Sequence, residues 1–391
     1  MREKLDVWPC LPIVVSGYCN TMACLKNIKA ALEHNDRVCQ IEIMVNAQKI
    51  PVEDVFAALE KPFPELTDLD LSQRKFSYIS RQLDPFKFLG GSSHLRSLSL
   101  GAISIPQFPA LLASSRDLNN LHLHDIQRYG DITPDAMATA LSALTSLERL
   151  SLRFVSCQSS AELDNLESRH SLPRSVIPSL LSFDFEGVSE YLEALVARID
   201  TPVLGRLGIT IFSQPVFDTT QLLWLLSRIP KMHELDKARV KLDNPEVWID
   251  FSSSDSSALR LGMSYHEPEH HFPNLSQSFG LPFNPLLTLE SLYFVAYPNS
   301  QQSWWDRVEN AQWLEFFRPF VAVRNLHLYT GSQVTLRIAP ALQELVGEGM
   351  LPTLQNVFLE GPLSEPVNDA IMQFATARRL SGHPIRVSIS H

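Results

Sequence analysis

An α/β solenoid, a curved and mostly parallel sheet with helices on its convex side, is the fold class the sequence predicts. Three observations predict it. A short motif, apolar-x-x-apolar-x-apolar, recurs along nearly the whole chain. The last two apolar positions of each copy alternate with polar ones, which is the two-residue period of a half-buried strand. The roughly 15–20 residues between copies carry the apolar spacing of one helical face. A strand–helix unit of this size cannot bury its apolar side alone, so neighbouring units must stack.

The copies run in order. Val38, Ile41 and Ile43 start the series, followed by Leu66, Leu69 and Leu71, then Leu95, Leu98 and Leu100. Leu118, Leu121 and Leu123 come next, with Leu147, Leu150 and Leu152, Leu180, Phe183 and Phe185, and Leu204, Leu207 and Ile209 after them. KMHELDKARVKL keeps only Met232 and Leu235, which shifts its expected strand to Arg239–Leu242; SALRLGMSY keeps Leu259 and Leu261. The last three copies are Leu289, Leu292 and Phe294, Val323, Leu326 and Leu328, and Leu354, Val357 and Leu359. The mean spacing is about 29 residues, at the long end of the leucine-rich-repeat range, which makes about 11–12 irregular repeats.

The intervening segments read as helices. Val52, Val55, Phe56 and Leu59 share a face in 51–62. In 131–144, Thr133 is an expected N-cap, Pro134 opens the first turn, and Met137, Ala140, Leu141 and Leu144 point inward. In 188–199, Ser189 is the expected cap, with Leu192, Leu195, Val196 and Ile199 inward. Residues 219–229 and 337–349 read the same way. A doubly wound sheet also alternates strand and helix, but its central strands are continuous apolar runs. Here LERLSLRF and VRNLHLY alternate, so one face of the strands is wet.

The expected organisation is a capping segment at 1–35 and a repeat domain at 36–391. Inserts rich in Ser, Pro and charge fall near 156–178 and 252–286. The position three beyond the last leucine of a copy holds Ile103, Ile126, Val155 or Val188, so no asparagine ladder is expected there.

Composition narrows the function classes. Net charge is −10, from 33 basic and 43 acidic residues, which argues against a nucleic-acid-binding surface. No apolar run approaches the roughly 20 residues of a membrane helix, and the start lacks a signal-peptide pattern. The expectation is therefore an intracellular protein, cytoplasmic or nuclear, with neither nucleic acid nor membrane as partner. The five cysteines, Cys10, Cys19, Cys24, Cys39 and Cys157, show no CxxC spacing and read as free thiols.

Several segments carry the look of a known family: LDVWPCLPIVVSGY (5–18), KPFPELTDLDL (61–71), FLGGSSHLRSLSLGAI (88–103), GVSEYLEALVARIDTPVL (187–204), NAQWLEFFRPFVAVRNLHL (310–328) and IAPALQELVGEGMLPTLQNVFLEG (338–361). They resemble the leucine-rich-repeat region of fungal F-box-like proteins. The resemblance implies the substrate-recognition region of a ubiquitin-ligase receptor, with Skp1–cullin machinery as a partner where an F-box is supplied. The F-box itself is read as absent, since the opening residues look like the segment that follows one. The alternative reading is the sensing repeat domain of an immune-type receptor, or a stand-alone scaffold.

No motif for chemistry stands out. In YHEPEHHF (265–272), Pro268 separates His266 from His270 and no HExxH order is met, so a solvated loop is expected and no metal site. FLGGSS precedes a strand and lacks a lysine, unlike a phosphate cradle. No catalytic residues, cofactors or metal ligands are therefore expected, and an enzyme with an α/β core is the least favoured class. The aromatic run 303–320 reads as core through Trp305, Val308, Trp313, Phe316, Phe317 and Phe320, with Trp304 exposed.

Function is expected on the wet strand face, among Asp70, Ser99, His122, Ser151, Asp184, Gly208, Tyr293, His327 and Phe358 and their neighbours. The last three strands gather Tyr293, Val295, His327, Tyr329 and Phe358. These five are the expected partner-binding residues, because rigid exposed aromatics make protein-binding hot spots. The expected activity is binding of a protein partner on the concave face, without catalysis.

Overall fold

The computed structural model describes residues 11–46, 48–50, 52–73, 94–103, 112, 115–126, 132–155, 174–212, 220–242, 246–253, 257–264, 285–296, 308–329, 333–347, 349–362 and 364–390. They are α/β, with mostly parallel strands, and divide into two compact units, Met1–Leu204 and Gly205–His391.

The first unit begins with β1 (Ile13–Cys19), a strand inside the segment expected only to cap the repeats. Helix α1 (Met22–Leu32) follows; the Cys24 amide donates to Thr21 Oγ1 at its N-cap, and Leu25, Ile28, Ala31 and Leu32 are buried. Then come β2 (Val38–Val45), α2 (Val52–Ala58), β3 (Asp68–Gln73), β4 (Ser97–Gly101) and β5 (Asn120–Ile126). Helix α3 (Pro134–Ser142), β6 (Arg149–Phe154), β7 (Ser175–Val176), β8 (Ser182–Gly187), α4 (Ser189–Val196) and β9 (Ile199–Asp200) complete the unit. Strands β1, β2, β3, β4, β5, β6 and β8 lie side by side in that order, all parallel. β7 pairs β9 in a separate two-stranded ribbon.

Register follows the leucines. Ile41, Leu69, Leu98, Leu121, Leu150 and Phe183 stand in one row across the sheet, and Ile43, Leu71, Leu100, Leu123, Leu152 and Phe185 in the next. All twelve are buried. A one-residue slip would put a whole row into water, so burial specifies the pairing. Ahead of β3, β4, β5 and β6 one carbonyl accepts two amides from the following strand's start. Thr67 accepts from Arg96 and Ser97, Arg96 from Asn119 and Asn120, Asn119 from Glu148 and Arg149, and Glu148 from Leu181 and Ser182.

Helix α3 is capped as its sequence predicts, with the Ala136 amide donating to Thr133 Oγ1 at 3.2 Å and Met137, Ala140 and Leu141 buried. It meets α4, where the buried Tyr191 hydroxyl donates to the Ile132 carbonyl at 2.9 Å and Arg198 pairs with Asp135. The expected Ser189 cap is not made. Val188 takes the N-cap position without a side-chain bond, and Ser189 is buried as the first helical residue with its hydroxyl 3.2 Å from Glu190 Oε2. Ile199 is buried as expected, but in β9 rather than in the helix.

The second unit contains β10 (Arg206–Phe212), α5 (Thr220–Ser227), β11 (Lys237–Leu242), β12 (Glu246–Ser252), β13 (Ser257–Ser264), α6 (Pro285–Thr288) and β14 (Ser291–Ala296). It ends with α7 (Asn310–Phe317), β15 (Asn325–Tyr329), α8 (Gln333–Gly347), β16 (Asn356–Glu360), α9 (Glu365–Leu380) and β17 (Arg386–Ser390). The order is β10–β13–β12–β11–β14–β15–β16–β17. β12 runs antiparallel to both neighbours; the other pairings are parallel. The chain therefore turns back twice, through β12 and then β13, where the sequence suggests a weak repeat and an irregular insert. The two-amide carbonyl returns past this point: Asp236 accepts from Glu290 and Ser291, Glu290 from Arg324 and Asn325, and Arg324 from Gln355 and Asn356.

An aromatic cluster fills the core behind β14. Phe294 meets Trp313, Phe316 and Phe317 with ring centroids 5.6–6.1 Å apart, and Phe316 meets Phe320 at 5.3 Å. Trp313, Phe316, Phe317 and Phe320 are buried, as the run 303–320 predicts, while Val308 is half-buried. Trp304 and Trp305 lie outside the described residues. α9 buries Val367, Ile371 and Phe374, and its buried Arg378 donates to the Leu351 and Leu354 carbonyls at 3.3 Å each.

Candidate functional site

The face of β11, β14, β15 and β16 opposite the core carries Arg239, Tyr293, His327 and Phe358 in one register row. Parallel strands about 4.8 Å apart bring equivalent side chains within reach of planar stacking. The rings use it. Tyr293 and His327 stack with centroids 4.0 Å apart and planes within 16°, and His327 and Phe358 with centroids 4.4 Å apart and planes within 14°. The Arg239 guanidinium lies 5.6 Å from the centre of the Tyr293 ring, a cation–π contact at the end of the row.

One row further along, Val295 is in register with Lys241, and Tyr329 with Glu360. His327 Nδ1 is 3.2 Å from Glu360 Oε1, which ties the two rows together. One row earlier, the Asn356 amide donates to Asn325 Oδ1 at 2.9 Å, and the Asn325 amide donates to Ser291 Oγ at 3.2 Å. A short amide ladder thus does exist, at the start of the strands rather than beyond their last leucine.

All five residues expected from sequence therefore share one face, and Tyr293, His327 and Phe358 form a continuous ridge. Tyr329 is 42% exposed; the other four are half-buried, the stacked rings partly by one another. Gly208, also expected on the wet face, is buried: it has no side chain to reach water and its register partner is Arg260.

The sequence reading missed the other half of the site. β12 brings Trp248 and Asp250 onto this face, in register with Lys241 and Arg239 respectively. Asp250 is buried, with Lys241 Nζ and Arg260 Nε each 2.6 Å from its carboxylate. Burial alone would raise its pKa. The hydrogen bonds from Arg260 and Lys241 outweigh that and hold the carboxyl below the ordinary range. A signal was there: KARVKL and EVWIDF are two alternating runs separated by Asp-Asn-Pro, a hairpin pattern.

The first unit's wet face is different. Asp70, Ser99, His122, Ser151 and Asp184 form its central row. Burial and then the neighbouring His124 lower the His122 pKa; Asp184 and Asp70 oppose them. Gly101 leaves room for the His124 ring. Among the described residues no group of three or more His, Cys, Asp or Glu is placed to hold a metal ion. The YHEPEHHF and FLGGSS segments lie outside the described residues. Cys19, Cys24 and Cys39 are free thiols. Among the described residues no helix is long and apolar enough to cross a membrane.

No protein-family model and no curated protein matches the chain.

Proposed function

We propose that this chain is a leucine-rich-repeat recognition module that binds a protein partner on the strand face carrying Tyr293, Val295, His327, Tyr329 and Phe358. One observation carries the reading. Three rings are locked in a stack across adjacent strands on the face away from the core. Rings already held by one another lose little rotamer freedom when a partner lands on them, which is what makes aromatic anchors effective. The recurring two-amide carbonyl and the leucine rows support the repeat architecture. Taken with the family resemblance, the role is substrate recognition in an F-box-type ubiquitin-ligase receptor or a remnant of one, acting by binding and not by catalysis.

The test is affinity capture from native lysate with quantitative mass spectrometry, using the wild type beside Tyr293→Ala/Tyr329→Ala. Partners depleted at least tenfold on the variant are expected. Skp1 and a cullin among the proteins retained on both baits would support the ligase role. Identical partner sets with no depletion would refute the aromatic face.

A further inference from the structure

We infer that the partner segment seated on this face is acidic and extended, with carboxylates about six residues apart around an apolar centre. The inference rests on the docking reading above and adds the chemistry of the occupant.

Charge is the first observation. The chain as a whole carries 43 acidic against 33 basic residues. The outward positions of β10 to β17 reverse that balance, with Arg206, Lys237, Arg239, Lys241, Arg260 and Arg386 against Glu246, Asp250 and Glu360. Pairing leaves the excess in place. Asp250 is already held between Lys241 and Arg260, and Glu360 lies against His327. Arg206, Lys237, Arg239 and Arg386 meet no carboxylate among the described residues. Among the described outward positions the excess is positive, and a positive face selects a negative partner and speeds its encounter.

Spacing is the second. Lys237, Ser291, Asn325, Asn356 and Arg386 stand in one register row over five strands. Four strand spacings put the two end cations about 19 Å apart, which an extended chain spans in about six residues. In that row Ser291, Asn325 and Asn356 stand between them; the Tyr293–His327–Phe358 stack is the next row, about 7 Å along the strands, an apolar strip within reach of leucine or aromatic side chains.

A single-stranded nucleic acid is the other polyanion to consider, since basic grooves with aromatics bind bases by stacking. Most of the ring faces here are taken, the outer face of Phe358 beside Ser388 apart. Both faces of His327 are covered, by Tyr293 and Phe358, and Arg239 sits against Tyr293. Edges remain, and edges favour aliphatic and aromatic side chains over flat bases.

The experiment is selection from a displayed library of random twelve-residue peptides on the wild-type chain, followed by fluorescence anisotropy of the winners. Asp and Glu flanking Leu, Phe or Tyr are expected. Winners should bind Lys237→Glu/Arg239→Glu at least tenfold more weakly, bind Arg386→Glu several-fold more weakly, and lose affinity between 50 and 300 mM salt. Winners without acidic bias, or with equal affinity for the charge-reversed chain, would overturn the acidic assignment. The docking reading survives that result if Tyr293→Ser/Phe358→Ser still abolishes binding. No selected peptide, or none sensitive to that aromatic double variant, would overturn both. Displacement of the winners by oligothymidylate of twelve nucleotides at lower concentration than by unlabelled peptide would assign the face to nucleic acid instead.

Discussion

Replacing Asp250 by Asn removes a negative charge that holds β11 and β13 to β12 through side chains. Lys241 comes from β11 and Arg260 from β13, each 2.6 Å from the carboxylate. A hydrogen bond to a charged partner contributes about 1.5–3 kcal/mol. Breaking a fully buried ion pair by deleting one member costs about 3–5 kcal/mol. Asp250 is buried, but the Arg260 side chain is 53% exposed and regains water when released, so its share is small. The expected loss is about 2–3 kcal/mol, most of it at Lys241. Hydrogen exchange followed peptide by peptide is the suitable assay, because a chain with two compact units need not unfold in one step. Amides of β11 to β13 should exchange about 30- to 150-fold faster at pH 7, and those of β2 to β6 unchanged. The sign of the pH dependence follows from the lowered pKa: the stabilisation is complete above the unfolded carboxyl's value, near pH 4, and fades as pH falls through the lower folded value. The gap between wild type and variant should therefore close in acid. A change under threefold at pH 7, or a gap that stays constant down to pH 3, would refute the reasoning. The same variant frees two cations on the docking face, so peptides selected there should bind it more tightly as long as the strands remain paired.

Three further expectations concern the first unit. Gly101→Ala places a Cβ about 2.6 Å from His124 Cδ2 and 3.0 Å from Ser72 Cβ, so it should cost about 1 kcal/mol or more in urea unfolding. Most of that loss should vanish in the His124→Ala background; persistence there would mean the ring is not the obstacle. Thr133→Ala removes the acceptor for the Ala136 amide, and a loss of about 1 kcal/mol, confined to exchange of α3 and its neighbours, is expected. Burial, with Cys24 beside it, pushes the Cys19 thiol up to about 11, so iodoacetamide at pH 8 should label Cys24 before Cys19, as peptide mass spectrometry would read. Equal labelling of the two in the native protein would contradict the burial of Cys19.

Much of the aromatic face was legible in the chain itself. LESLYF, VRNLHLY and NVFLEG each alternate, so Tyr293, His327 and Phe358 had to share the side opposite Leu292, Leu326 and Val357, whatever the strands paired with. The caps of α1 and α3 were equally local, a hydroxyl three residues ahead of an amide. The meander of β11, β12 and β13 was legible only in the hairpin pattern of its first two strands. A hairpin and a weak repeat alternate alike, and antiparallel pairing leaves no mark on a single strand's alternation.

Taken by itself, then, the sequence determined which residues lie inside and which outside, because burial of leucine rows is set by a period every strand carries alone. Which outside residues meet was a matter for pairing. Register decided that Tyr293, His327 and Phe358 stack instead of standing separately. It also set Asp250 between Lys241 and Arg260 and left Arg239 facing a ring rather than a carboxylate. The ion pairs join residues nine and ten positions apart and the ring contacts residues more than thirty apart, and only the hydrogen-bonded order of the strands brings them to within a few ångströms.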